Sequence, residues 1–250
     1  MLHSLLRSNP DTEFDVYVMN KSFDDEDYKY IDYVLDNKKI KLHDIKVDDS
    51  ALKDAPVTDR YPLEMYYRIF AARFLPENLD KILYLDPDLV VIKDIQDLYN
   101  IDLGDSFFAA ASHVGKSLQK INEIRLQMDT KGPYINSGVM LMNLRLLRQY
   151  QNFDEVFEYI DKNKNILMLP DQDIISAVYP DKIIALDPYI YNMTERMMLK
   201  PKSIKNDVDL NWVEQNSAII HYCGRNKPWK DSYIGLFDRF YKQYEQEIIW

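Results

Sequence analysis

Lys81-Ile-Leu-Tyr-Leu-Asp-Pro-Asp-Leu-Val-Val-Ile92 places two carboxylates, Asp86 and Asp88, inside an otherwise apolar run. The apolar residues predict a buried strand over 81–90. Residues i and i+2 of a strand point to the same face, so these carboxylates repel each other unless a cation lies between them. Pro87 cannot donate to a strand ladder and marks the strand's end or an edge. Two interpretations stay open: a divalent-metal clamp at the carboxyl end of a parallel strand, or a turn built from Asp and Pro.

Strand and helix patterns alternate before this stretch. Alternating or β-branched residues predict strands over 14–19 and 40–47. Helical spacing predicts a short helix near Leu2, Leu5 and Leu6, a helix over 24–37 and a buried aromatic helix over 63–75. This alternation predicts an α/β domain with a largely parallel sheet.

The order changes after this stretch. Further strands are predicted over 107–112, 134–144, 183–186 and 218–222. Helices are predicted over 153–163, over 172–178 with Asp171 as the cap, and over 233–250, while 197–216 is predicted to be a loop.

Composition excludes several classes of function. The 250 residues suit one large domain or one domain with an appendage. The net charge of −10 argues against a nucleic-acid footprint, which needs clustered Lys and Arg. The single cysteine, Cys223, excludes an internal disulfide framework and fits a reducing cytosol. No glycine-rich phosphate loop occurs, so any bound phosphate must be held by other means.

The segment His221-Tyr-Cys-Gly-Arg-Asn-Lys-Pro-Trp229 carries a second set of candidate residues. His221 ends an apolar strand pattern, Gly224 permits a turn or a close approach to a ligand, and Lys227 offers a positive charge. Two Asp and one His would suit Mn²⁺ or Mg²⁺, and the imidazole favours Mn²⁺. The alternative is a hydrogen-bonded histidine at a strand end, with Trp229 in the core.

Three shorter motifs each have a structural and a functional interpretation. Asp171 either caps a helix or faces a crevice with Gln172 and binds a polar substrate. Asn136 and Ser137 either form a turn before a strand or belong to the same site. Arg68, on an aromatic helix, either forms a structural ion pair or neutralises a phosphate or acidic ligand.

The motifs become far more specific when they are taken together and in order. They are Tyr67-Arg68, Leu83-Tyr-Leu-Asp-Pro-Asp88, Asn136-Ser-Gly138, Asp171-Gln-Asp173, His221-Tyr-Cys-Gly224 and Lys227-Pro-Trp229. This order resembles glycosyltransferase family 8, particularly its bacterial lipopolysaccharide galactosyl- and glucosyltransferases. The resemblance covers residue 1 to about 230, and the last two motifs are its most specific part.

The resemblance implies a GT-A fold, with a Rossmann-like nucleotide half joined to an acceptor half. It implies a domain over 1–230, followed by an amphipathic helix over 231–250. The implied activity is transfer of glucose or galactose from a UDP-sugar, with retention, to a glycan or glycolipid such as a lipopolysaccharide precursor. The implied protein is cytoplasmic, with at most weak peripheral contact at the inner membrane face.

The resemblance also assigns roles to residues. The metal ligands, for Mn²⁺ with Mg²⁺ as the alternative, are Asp86, Asp88 and His221. The donor-binding residues are Arg68, Asp86, Pro87, Asp88, Asn136, Ser137, Asp171, His221, Gly224 and Lys227. The catalytic candidates are Gln172, on the face opposite the leaving group, and Asp171.

The beginning of the chain departs from the family pattern. Family members begin with a strand and an Asp-rich turn that bind uracil and ribose, whereas this sequence begins at the following helix. We therefore expect a GT-A fold without the first strand. The alternative function is a catalytically impaired GT-A module that binds a glycan or a partner. A metal-dependent nucleotidyltransferase would need a basic, glycine-rich N-terminal loop, which is not present.

Overall fold

The computed structural model describes residues 1–35, 39–53, 55, 57, 62–128, 132–198 and 208–248. Within them the strands are β1 (Phe14–Asn20), β2 (Ile40–Lys46), β3 (Lys81–Leu85), β4 (Leu89–Val91), β5 (Phe108–Ala111), β6 (Val139–Asn143), β7 (Ile183–Leu186) and β8 (Ile219–His221). The α-helices are α1 (Leu2–Ser8), α2 (Asp25–Leu35), α3 (Ala71–Phe74), α4 (Gln96–Tyr99), α5 (Lys116–Arg125), α6 (Leu144–Tyr150), α7 (Phe153–Asn163), α8 (Pro170–Val178), α9 (Pro188–Tyr191), α10 (Glu195–Met198), α11 (Leu210–Asn216) and α12 (Asp238–Glu245), with 3₁₀ turns at Ser50–Leu52 and Leu63–Arg68. The α/β class predicted from the sequence is confirmed.

The strands form mixed sheets rather than a largely parallel one. A four-stranded sheet has the order β3-β6-β5-β7, and two further pairs are β1-β2 and β4-β8. Strand β6 runs antiparallel to both of its neighbours, whereas β5-β7 and β1-β2 are parallel. The prediction of a largely parallel sheet was therefore wrong, because spacing along the chain does not reveal strand direction.

The apolar stretch over 81–92 is two strands separated by a turn. Strand β3 ends at Leu85 and β4 begins at Leu89, so the single strand predicted over 81–90 was wrong. Pro87 lies in the turn between them. Strand β3 pairs with β6 and β4 pairs with β8. The turn therefore lies where the main sheet passes into the β4-β8 pair.

Strand β6 shows why the main sheet is apolar throughout. Met140 and Met142 belong to one hydrophobic cluster, together with Tyr66. Val139 and Leu141 belong to a second cluster on the opposite face. Because successive side chains alternate between two buried faces, the strand cannot show the alternation of a half-exposed one.

Some predicted elements differ in their type or bounds. The helix predicted over 63–75 is a 3₁₀ turn, Leu63–Arg68, followed by α3. Apolar spacing does not distinguish these helix types. The strand predicted over 134–144 begins only at Val139, which leaves 134–138 as a connection that carries site residues.

Two helix predictions also need correction. The cap of α8 is Leu169, so Asp171 lies within its first turn instead of capping it. The loop predicted over 197–216 contains α11, whose N-cap Asp209 accepts a hydrogen bond from the backbone of Trp212. Residues 36–37, 199–207 and 249–250 of the predicted elements lie outside the described residues.

The C-terminal helix begins later in the chain than predicted. It spans Asp238–Glu245 within the predicted 233–250. None of the helices in the described part of the chain is long and apolar enough to cross a membrane.

Candidate active site

Three predicted metal ligands meet at the turn between β3 and β4. One ligand atom from each of Asp86, Asp88 and His221 lies within 4.8 Å of the others. Nε2 of His221 is 3.0 Å from Oδ1 of Asp88 and 3.7 Å from Oδ2 of Asp86. The strand pairing explains this meeting, because β4 and β8 place Leu89 opposite His221 and so bring Asp88 beside the ring.

Gly138 makes room for this cluster. A Cβ at this position would lie 2.1 Å from Cε1 of His221 and 2.9 Å from Oδ2 of Asp86. The backbone also ties the turn to the strand, because the N–H of Asp86 donates to the carbonyl of Gly138 at 2.8 Å. The position therefore requires a residue without a side chain.

The donor set fits a divalent cation. Two carboxylates and an imidazole within this span can bind one ion, and oxygen ligands with one nitrogen suit Mn²⁺ or Mg²⁺. The imidazole is buried, while the side chains of Asp86 and Asp88 stay 17 % and 18 % exposed. That exposure leaves the cluster open on the side where a ligand would approach.

The charges around Asp88 are balanced by neighbouring cations. Lys227 forms an ion pair with Asp88 and donates to the carbonyl of Tyr222 at 2.9 Å. Burial alone would raise the pKa of Asp88, but hydrogen bonds from His221 and Lys227 lower this pKa to about 2. Burial likewise disfavours protonated His221, yet Cys223 and Asp88 raise the pKa of His221 to about 10. His221 and Lys227 therefore carry the positive charge that faces Asp88.

Arg68 joins the cluster to α8. Its Nη2 lies 3.0 Å from Oδ1 of Asp86, and its Nη1 lies 3.0 Å from Oδ2 of Asp171. Tyr84 supports the guanidinium, with its ring centre 4.7 Å from Cζ, and donates to Asp86 at 2.8 Å. Nε of Arg68 is buried and has no hydrogen-bond partner among the described residues. This N–H of the buried cation is therefore left unsatisfied inside the described part of the protein.

One wall of the candidate site is formed by four other predicted residues, Asn136, Ser137, Asp171 and Gln172. The hydroxyl of Ser137 donates to Oδ2 of Asp171 at 2.6 Å, and the amide of Asn136 donates to Oε1 of Gln172 at 2.8 Å. Asp171 and Gln172 are both buried. Pro170 occupies the first turn of α8, where its missing N–H leaves no helical bond unmade. The connection before β6 and the start of α8 therefore face each other.

Sequence reasoning missed Asn192, which is fully buried. Its Oδ1 accepts from Nδ1 of His221, and its Nδ2 donates to Oδ1 of Asn136, both at 2.9 Å. His113 contacts the Asn192 carbonyl through Nε2 at 2.7 Å. Asn192 thereby turns Nε2 of His221 toward the carboxylates. No sequence motif indicates this role of Asn192, because the role arises from packing between segments that are distant in the chain.

The segment after β8 turns sharply beside the cluster. Gly224 has φ of +98°, which favours glycine, and its nearest neighbour is Arg196, whose Nη2 lies 3.2 Å from the position a Cβ would take. Burial raises the pKa of Cys223, but His221 and His113 lower this pKa to about 6. Trp229 is 48 % exposed, so the alternative that placed it in the core is wrong.

Comparison with solved structures supports the GT-A fold expected from the sequence. The galactosyltransferase LgtC, in complex with donor and acceptor sugar analogs, superposes with a TM-score of 0.85. The two chains share 21 % identity, and the match covers 100 % of this chain and 90 % of LgtC. The fold class predicted from the motifs is confirmed.

The sequence comparison then identifies the family. Glycosyl transferase family 8 matches residues 1–232. The chain belongs to glycosyltransferase family 8, which confirms the resemblance seen in the motifs and supports a role as a glycosyltransferase.

Individual relatives have low sequence identity to this chain. Lipopolysaccharide 1,2-glucosyltransferase of Escherichia coli K12 is 26 % identical over 249 residues, which cover 99 % of this chain and 73 % of that protein. General stress protein A of Bacillus subtilis is 28 % identical and matches 100 % of this chain and 88 % of its own length. Lipopolysaccharide 1,3-galactosyltransferase of Salmonella typhimurium is 25 % identical, with 99 % and 73 % covered. The named transferases move different sugars.

Proposed function

We propose that this protein is a retaining hexosyltransferase that moves glucose or galactose from a UDP-sugar to a glycan or glycolipid acceptor. One observation carries the proposal: Asp86, Asp88 and His221 converge beside Lys227 and Arg68. Two anionic ligands, an imidazole and two cations in one place suit a substrate with a negatively charged leaving group.

The metal ligands we propose are Asp86, Asp88 and His221, with Mn²⁺ favoured over Mg²⁺ because of the imidazole. A divalent ion bound there supplies Lewis-acid neutralisation of the diphosphate charge. Lys227, which is paired with Asp88, would contact the same phosphates, and Gly224, which has no side chain, would let the backbone approach them closely.

The donor sugar is assigned to the wall between Arg68 and α8. Arg68 holds the side chain of Asp171 through Nη1, and Asp171 offers carboxylate oxygens that can accept from sugar hydroxyls. Asn136 and Ser137 hold Gln172 and Asp171 in place by direct hydrogen bonds. Because these side chains are already held in place, they can bind a sugar in a fixed orientation without rearranging during the reaction.

We assign retention of the anomeric configuration to attack by the acceptor on the face of the sugar from which UDP departs. A double displacement needs a free carboxylate as nucleophile. Asp171 is held by Arg68 and Ser137, and the Gln172 amide is a weak nucleophile. In Gln172→Ala we expect most of the turnover to remain. Loss of nearly all turnover, with folding intact, would contradict this expectation and show that Gln172 is essential to the reaction.

Donor turnover tests the proposal directly. The protein is incubated with UDP-glucose or UDP-galactose and Mn²⁺, and released UDP and the anomeric configuration of the product are followed by NMR. We expect Asp88→Asn to reduce turnover by roughly 100-fold or more, because the leaving-group charge is then poorly neutralised. The matched control is Asp161→Asn, since Asp161 is 82 % exposed and its only ion pair within the described residues is with Lys164.

Two results would contradict the proposal. Equal turnover in Asp88→Asn and the wild type would show that the metal cluster takes no part in the reaction. Tight donor binding without turnover under any metal would support the alternative, a GT-A module that binds a glycan or a partner without transferring sugar.

A further inference from the structure

Arg196 lies against the turn that follows β8. The chain at Met193 runs parallel to β8, and its carbonyl accepts a hydrogen bond from the N–H of His221 at 2.8 Å. This pairing carries the residues after Met193 alongside the end of β8. Nη2 of Arg196 consequently lies 3.2 Å from the position that a Cβ would take at Gly224. Because Gly224 has no side chain, a guanidinium group can lie close to the backbone there.

The neighbours of Arg196 hold it at this place. Met193 and Met197 are buried in one hydrophobic cluster. Glu195 is also held, because its Oε1 accepts a hydrogen bond from the hydroxyl of Tyr233 at 2.6 Å. Arg196 itself is exposed. The short helix α10 is therefore anchored from within, while its arginine faces solvent beside the candidate site.

Arg225, the residue after Gly224, provides a second guanidinium group. Both arginines are exposed, and neither forms an ion pair with any residue that the structure describes. Arg68 and Arg125, in contrast, are each paired with a buried aspartate. The charges of Arg196 and Arg225 are therefore open to a ligand from solvent.

The local charge at this turn is positive, although the net charge of the chain is −10. Residues 222–231 contain three basic residues and one acidic residue, Asp231, and Arg196 adds a further positive charge. Glu195 and Asp231 are close in the chain, yet within the described structure neither pairs with the two arginines. Because salt screens charges beyond about 8 Å, the local charge decides which ligand is attracted. An anionic group is favoured here.

The diphosphate of the donor does not account for these two arginines. Within the described residues, the cations that pair with the carboxylates of the metal cluster are Arg68, His221 and Lys227. Neither Arg196 nor Arg225 is among them, so both guanidinium groups lie beyond ion-pair distance from those carboxylates. A guanidinium group binds a phosphate or a carboxylate through two parallel N–H bonds. A second anion-binding place therefore lies beside the metal cluster.

We propose that Arg196 and Arg225 bind an anionic group, a phosphate or a carboxylate, on the acceptor. The inference names a chemical class of acceptor, so it rests on the proposed function. The binding of the anion requires no turnover and no metal ligand. An acidic acceptor is then favoured over a neutral one that carries the same sugar.

Saturation-transfer NMR tests this preference. The protein is saturated with UDP and Mg²⁺, which is diamagnetic, so that the diphosphate site is occupied. It is then titrated with glucose, glucose 6-phosphate and glucuronic acid. We expect the acidic sugars to bind roughly tenfold more tightly than glucose or better, because they gain charge-assisted hydrogen bonds. The preference should decrease as salt increases, and the tighter of the two acids distinguishes phosphate from carboxylate.

Variants connect the preference to the two arginines. Arg196→Gln/Arg225→Gln should lower the affinity for the acidic sugars to that for glucose. Arg196→Lys/Arg225→Lys should keep part of the preference, because the charge remains without the planar pair of donors. The matched control is Arg145→Gln, since Arg145 is exposed, has no ion pair within the described residues, and follows the end of β6 that is remote from Gly138.

The titrations measure binding without turnover. Failure to release UDP from UDP-glucose or UDP-galactose would therefore count against the proposed function and leave the measured anion preference unaffected. Circular dichroism and the unfolding midpoint check that each variant folds.

Three outcomes would overturn the proposal. Equal affinities of the wild type for glucose and for both acidic sugars would show that no anion is recognised. A preference that survives the double glutamine variant, or that is lost equally in Arg145→Gln, would exclude Arg196 and Arg225 as its cause. Weaker stabilisation by UDP and Mn²⁺ in the double glutamine variant would assign the arginines to the donor instead.

Discussion

At the scale of single residues, the site depends on close contacts that allow little substitution. Asp86, Asp88 and His221 were candidates from the sequence, because charged or imidazole side chains at the ends of apolar runs need a partner, and the family resemblance assigned them as metal ligands. Gly138 and Asn192 could not be assigned roles, because their roles come from contacts between segments distant in the chain.

Gly138→Ala should weaken metal binding. The added methyl group would overlap His221 and press against Asp86, and overpacking of this kind costs about 1–3 kcal/mol. Calorimetric titration with Mn²⁺ measures the change. Gly115→Ala is the matched control, because a Cβ at Gly115 meets nothing within 4 Å. Equal metal affinities in the two variants would contradict the close packing described here.

Asn192→Ala should lower metal affinity by roughly 10- to 100-fold, because the residue that orients a ligating imidazole is lost. The same titration measures this effect. Asn216→Ala serves as control, since Asn216 is exposed and its side-chain amide bonds, within the described residues, only to the carbonyl of Trp212. An unchanged affinity in Asn192→Ala would mean that Asn192 does not position His221.

Metal affinity should rise with pH between about 6.5 and 8. The pKa of His221 is raised to about 10 in the ion-free site, so the imidazole must lose a proton before it ligates a cation. The rise approaches tenfold per pH unit while the pH stays below that pKa. His221→Gln should flatten the slope. A wild-type affinity that falls or stays constant as pH increases would contradict the assignment of His221 as a ligand.

At the scale of elements, local patterns predicted where strands and helices occur but not how they pair. The apolar run around Asp86 and Asp88 indicated strand on both sides, yet the backbone turns there and enters a second sheet. The direction of β6 could not be predicted from the local pattern either, because a strand buried on both faces is apolar whether it runs parallel or antiparallel to its neighbours. Pairing and direction depend on contacts between distant segments.

The Arg125–Asp173 pair should be a major support of α8. Asp173 is fully buried and also accepts bonds from Tyr134 and from the backbone of Met168 and Leu169. In Arg125→Met the buried carboxylate loses its cation, which costs about 3–5 kcal/mol in unfolding free energy. Urea denaturation measures this cost.

A surface ion pair provides the comparison. Lys164→Met removes the partner of Asp161, and both side chains are largely exposed. The expected loss is within about 1 kcal/mol. Similar losses in Arg125→Met and Lys164→Met would contradict the view that the buried pair anchors the start of α8, where Asp171 and Gln172 lie.

At the scale of the whole molecule, the proposed function requires a metal-bound nucleotide diphosphate at the junction between the main sheet and the β4-β8 pair. The family and the convergence of Asp86, Asp88 and His221 support that location. Such a site requires that nucleotide and metal stabilise the protein together more than either does alone, because each supplies ligands to the other.

Thermal unfolding with UDP, with Mn²⁺ and with both is the most direct measurement. A ligand at about 100 times its Kd adds roughly 2.7 kcal/mol. For a chain of this size that corresponds to a rise of about 5–10 °C in the unfolding midpoint. We expect such a rise for UDP and Mn²⁺ together, a much smaller one for each alone, and none in Asp88→Asn. No rise with both, or an equal rise in Asp88→Asn, would contradict the proposed site.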